Sequence, residues 1–84
     1  MRVELDVRNI PTERIWEYVG MAGGVWDGAQ RGTGTGWTIE RVVQEPVRIG
    51  VMDIPRDSLI IEGEAEAVET AVAFLRRQLM RGGG

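Results

Sequence analysis

The sequence predicts an α+β fold: a two-layer sandwich of order β-α-β-β-β-α, with a four-stranded, mostly antiparallel sheet and two helices on one of its faces. Three observations predict it. Residues 57–81 pass from a β-branched strand through Gly63 into a long amphipathic helix. Residues 2–8 alternate strictly between charged and apolar. Short turns between the later strands call for antiparallel neighbours, and two one-sided helices need a shared surface to cover.

In the first strand Val3, Leu5 and Val7 point one way and Arg2, Glu4, Asp6 and Arg8 the other, the pattern of a half-buried strand with one wet face. Asn9-Ile10-Pro11-Thr12 breaks it, with Thr12 or Asn9 placed to cap the next element. From Glu13 the spacing of Ile15, Val19 and Ala22 is helical, with Trp16 beside that stripe. Gly20 and Gly23-Gly24 end this helix after two to three turns.

Residues 20–36 hold seven glycines, interspersed with Trp26, Asp27, Gln30 and Arg31. So many glycines weaken any regular element, and a connection of this length in a small domain is commonly functional. Strand chemistry returns over residues 37–44, with Trp37, Thr38, Ile39, Val42 and Val43 and a slip in alternation near Arg41 that suits a bulge. Glu45-Pro46 reads as a turn, residues 47–52 as a third strand with Val47, Ile49 and Val51 inward, and residues 53–57 as the next turn.

The final strand, residues 57–63, leads into a helix whose Ala65, Val68, Ala71, Val72, Leu75 and Leu79 share one face. Glu64, Glu66 and Glu69 near its start and Arg76, Arg77 and Arg81 near its end complement the helix dipole. Burying those six apolar side chains contributes on the order of 10 kcal/mol before entropic costs. Residues 1–81 form one domain, and residues 82–84, all glycine, a flexible tail.

Composition removes whole classes of chemistry. The chain has no His, Cys or Lys. Ser-His and Cys-His nucleophile pairs, imidazole bases, zinc sites of nitrogen and sulfur ligands, Schiff bases and phosphate-loop lysines are all absent with them. The sequence therefore points to a non-enzymatic protein with no catalytic residue, no metal and no cofactor. A net charge of −3 disfavours nucleic acid and anionic membranes as partners. With neither a signal core nor an apolar run near 18 residues, a soluble cytoplasmic chain is expected. All ten cations are Arg, a composition that fits a heat-adapted or GC-rich source.

The glycine-rich segment is the natural place for a contact surface, and Gly23, Gly24, Trp26, Asp27, Arg31, Gly32, Gly34 and Trp37 are the candidate contact residues. Trp26 and Trp37 suit stacking on a ligand, though closing a small core or an interface is the more frequent use of Trp. Gly32-Thr33-Gly34-Thr35-Gly36 offers consecutive amides, but it leads into a strand where a phosphate loop opens a helix, so a flexible connection explains it better. Asp27 and Arg31 suit an exposed ion pair on a helical turn, worth about 0.3–0.5 kcal/mol. The acidic start of the last helix lacks the spacing of a calcium loop.

Three resemblances follow from these segments. The layered architecture resembles the ferredoxin-like class without its usual final strand. Gly20-Met21-Ala22-Gly23 after a strand and helix, with residues 57–63 and then Ala65, Val68 and Ala71 downstream, resembles the KH pattern. That implies single-stranded RNA clamped at Gly20–Gly23, and a second helix running through Gly28, Gly32 and Gly34. The closing strand-Gly-helix segment resembles ACT and NIL regulatory domains, which implies a small-ligand site at a sheet or subunit interface. The leading expectation is a non-catalytic module that forms a homodimer or binds a protein partner through residues 20–36 and the wet face of the sheet.

Overall fold

The computed structural model describes residues 1–82, so the expected tail at Gly83 and Gly84 lies outside the described residues. The elements are β1 (Arg2–Arg8), α1 (Thr12–Met21), β2 (Val25–Trp26), β3 (Arg31–Gly34), β4 (Trp37–Ile49), β5 (Met52–Gly63) and α2 (Ala65–Gly82). Among the described residues no helix is long and apolar enough to cross a membrane.

The sheet has five strands, not the expected four, in the order β1-β5-β4-β3-β2, and every neighbouring pair is antiparallel. The ferredoxin-like class therefore describes it only roughly. The extra strands come from the glycine-rich segment, where Val25 and Trp26 pair with Thr33 and Gly32. The second helix implied by the KH resemblance is not there: β2 and β3 lie where it would run.

Both helices cover one face, and the apolar positions read from the sequence are the ones that meet. Leu5 and Val7 of β1, Ile15, Trp16 and Val19 of α1, Trp37 and Ile39 of β4, Leu59 and Ile61 of β5, and Val68, Ala71, Val72 and Leu75 of α2 make the core. α1 begins without a side-chain cap. Pro11 stands in extended conformation before it, and the Pro11 carbonyl accepts from the amides of Arg14 and Ile15. Asn9 does other work: at φ 59°, which Asn tolerates better than most residues, its amide donates to the Pro55 carbonyl at 2.8 Å and ties the end of β1 to β5.

The two strands expected over residues 37–52 are one strand, β4. Glu45-Pro46 is a bulge within it: pairing is continuous from Trp37↔Gly63 to Gln44↔Arg56, then resumes at Val47↔Ile54. Pro lacks an amide donor, so it sits where a ladder bond is already missing. Asp53 to Asp57 is likewise strand, and the turn falls at Gly50-Val51, with Gly50 at φ 61°. β1 pairs with β5 only up to Arg56, and β3 with β4 only up to Glu40. Residues 42–55 therefore project as a two-stranded ribbon, and the molecule measures 42 × 23 × 20 Å.

Candidate interaction surface

Side chains alternate faces along a strand, so register assigns each one. In β4 up to the bulge, Trp37, Ile39, Arg41 and Val43 face the helix side, while Thr38, Glu40, Val42 and Gln44 face the uncovered side. The extra residue of the bulge inverts that parity. Beyond it Val47 and Ile49 turn to the uncovered face, opposite Ile54 and Met52 of β5, and Arg48 turns away with Asp53. This reverses the expectation that Val47 and Ile49 point inward and Arg48 outward; Met52 lies on the uncovered face as expected.

The uncovered face consequently carries an apolar row along the β4–β5 ribbon: Ile60, Val42, the pair Val47 and Ile54, then Ile49 and Met52 at the tip. Ile49 and Met52 are 60% and 63% exposed, and Val51 in the turn is 93% exposed. Arg56 interrupts that row opposite Gln44, and beside it stand Arg2, Arg8 and Arg31 with Glu4, Asp6, Asp27, Glu40 and Glu62, four cations and five anions in all. Several are matched within the chain. Asp6 accepts from Arg56 at 2.8 Å and Arg8 at 3.0 Å, and Arg31 approaches Glu40 at 3.5 Å. The Arg56 bond, reinforced by Arg8, holds the Asp6 carboxyl below its ordinary range, and Asp6 in turn raises Arg56. This face is thus nearly balanced, and most of the chain's net −3 resides elsewhere.

At the root of the ribbon the helix side holds a buried ion pair, Arg41 to Asp57 at 3.1 Å. Arg41 also reaches Gln30 with its guanidinium at 3.4 Å and donates its backbone amide to the Gln30 carbonyl. On the opposite face Gln44 donates to the Ser58 hydroxyl at 3.1 Å. A groove of about 460 Å³ opens beside the pair, walled by Ile10, Pro11, Val43, Pro46 and Pro55.

The candidate residues of the glycine-rich segment occupy three settings. Trp37 is buried, and Gly24 and Gly34 make room for it: a Cβ on Gly24 would stand 2.8 Å from the Trp37 ring and from Val19, and one on Gly34 would fall on the indole. Gly32 is crowded in the same way by Ile39 and Trp16. Trp26 stacks on Trp16 with ring centroids 4.9 Å apart and donates its indole N–H to the Ala29 carbonyl at 2.8 Å. The buried Trp16 indole nitrogen has no hydrogen-bond partner. Asp27 accepts from the Ala29 amide at 2.9 Å, an Asx turn, while Arg31 turns to Glu40; the expected Asp27–Arg31 ion pair is not formed. Gly23, at φ 93°, supplies the left-handed residue after α1. Among the described residues no group of three or more acidic, His or Cys side chains is arranged to hold a metal ion.

The sequence matches the archaeal MoaD-like protein family over residues 3–84, nearly its whole length. The chain belongs to that family. No curated protein matches this MoaD-like chain. The match spans both the layered core and the projecting ribbon, so the apolar row lies within the family domain.

Sequence reading found Met52 and the charged side of β1 on the uncovered face. It did not find Val47 or Ile49 there, because one inserted residue at the bulge decides their side, nor Ile54, because residues 53–57 read as a turn. The slip in apolar alternation near Arg41 was the only signal of the bulge, and it lies a few residues early.

Proposed function

We propose that this MoaD-like chain is a non-catalytic interaction module that self-associates through the uncovered face of its sheet. One observation carries the reading: apolar side chains gathered along a face that no helix covers, broken by Gln44 and Arg56 and flanked by nearly balanced charge. Exposed apolar area gathered in one place, with polar groups at its rim, is the usual mark of a protein contact. A rim with no excess of cations favours a neutral surface over nucleic acid, which needs a cationic one. The missing His, Cys and Lys support a role without catalysis.

Sedimentation equilibrium over a wide concentration range tests this. A dimer whose population rises with concentration is expected. A monomer at every concentration overturns the reading.

A further inference from the structure

The outer edge of β1 holds unused pairing capacity. Met1 and Gly63 exchange both backbone bonds across the β1–β5 ladder, at 2.9 and 3.1 Å, and two turns of the same alternation further on the Asn9 amide donates to the Pro55 carbonyl at 2.8 Å. Bonded and non-bonded pairs alternate along an antiparallel ladder, so Val3, Leu5 and Val7 also bond inward to β5. Arg2, Glu4, Asp6 and Arg8 therefore turn their amides and carbonyls outward, where β1 has no further neighbour. The opposite edge, β2, is only two residues long. Among the described residues β1 is thus the one extended edge of the sheet.

We propose that β1 takes an extended segment of another polypeptide as an added antiparallel strand, apolar at alternate residues and carrying acidic, basic, basic and acidic side chains at those between. This contact lies at the edge of the sheet and does not depend on self-association. An exposed strand edge is a ready template for backbone pairing, and pockets beside it select the side chains.

The apolar positions follow from register. Side chains of the added strand opposite Val3, Leu5 and Val7 point to the helix side. There a groove of about 360 Å³ opens between β1 and the last turns of α2, walled by Leu5, Val7, Ile10, Leu79 and Met80. Met80 is 83% exposed, so an incoming apolar side chain covers surface that the chain leaves in water.

The charged positions follow from complementarity, which also rejects a second copy. Along β1 the outward residues run plus, minus, minus, plus, an order that reads the same in both directions. A copy paired antiparallel in full register meets like charge at Arg2, Glu4, Asp6 and Arg8 alike, and like charges directly opposite destabilise a ladder. Slipped by two residues either way, it sets Glu4 or Asp6 on its own counterpart and shortens the ladder. A segment of the inverse order meets an opposite charge at every one of these positions. Glu4 gains most, since it has no ion-pair partner among the described residues.

The test uses a blocked peptide of the length of β1, Glu-Val-Lys-Val-Lys-Val-Glu, against Lys-Val-Glu-Val-Glu-Val-Lys, which has the same composition and the opposite charge order. Each is titrated into the unmodified chain while amide exchange is followed by nuclear magnetic resonance. The first peptide is expected to protect the Glu4, Asp6 and Arg8 amides and to bind about tenfold tighter than the second, whose charges oppose those of β1. N-methylation of its two lysine amides, which would donate to the Glu4 and Asp6 carbonyls, should abolish binding. No added protection at these amides overturns the proposal, as does equal binding of the two charge orders or undiminished binding of the methylated peptide. Sedimentation of the chain alone decides self-association separately, so failure of either reading is distinguishable from failure of the other.

Discussion

The Arg41 guanidinium lies 3.1 Å from the Asp57 carboxylate where β4 and β5 leave the body of the sheet, with 14% and 5% of the two side chains exposed. Both groups have lost most of their water, so each depends on the other, and the Arg41 Nε has no partner. Asp57→Asn is expected to cost about 3–5 kcal/mol, because an unpaired guanidinium would remain buried. Arg41→Met with Asp57→Leu should recover most of that loss, since replacing both charges by apolar groups removes the desolvation cost. Chemical denaturation of the three proteins checks both outcomes.

The glycines around Trp37 make a second, signed prediction. Gly34→Ala places a methyl group on the indole and should destabilise by about 1–3 kcal/mol. Gly20, inside α1 with nothing within 4 Å of its missing Cβ, should respond in the opposite sense. Gly20→Ala is expected to stabilise by up to about 1 kcal/mol through helix propensity and a less flexible unfolded chain. Thermal unfolding of the pair separates glycine required by packing from glycine merely tolerated.

The Trp16–Trp26 stack spans α1 and β2, and β2 is only two residues long. An aromatic pair is worth about 0.5–1.5 kcal/mol beyond its buried area. Trp26→Ala should therefore loosen β2 and β3 locally. Near-ultraviolet circular dichroism would lose signal while the far-ultraviolet helical signal stays.

Asp6 gives the pH dependence a sign. Arg56 and Arg8 lower its folded pKa, so its contribution is present above the unfolded carboxylate range and is lost as pH falls through the lower folded value. The site is exposed, so salt screens the effect and it is small. Asp6→Asn should lower the unfolding midpoint slightly at neutral pH, and the difference from the parent should shrink in acid and in high salt.

The core was legible because each of its segments has a strong period of its own. Ile15 and Val19, Val68, Ala71, Val72 and Leu75, and Leu5 and Val7 announce their buried side by spacing alone, and the structure buries all of them. β2 and β3 were not legible, since glycine there answers to the volume of Trp37, Trp16 and Ile39, which reach those positions only through tertiary packing. Pro46 and Pro55 read as turns because proline usually ends a strand; here one sits in a bulge and the other opposite it. The surface proposed for contact was half legible for the same reason, because its inner half follows simple alternation and its outer half follows the bulge.

That extra residue at Glu45-Pro46 acts as a parity setting for everything distal to it. Paired one-to-one straight through Glu45-Pro46, β4 would set Val47 opposite Asp53 and Arg48 opposite Met52, placing a cation on the uncovered face and turning Val47 to the helices. The surplus residue thus keeps Val47 and Ile49 in phase with Ile54 and Met52, so that the tongue turns one greasy side outward.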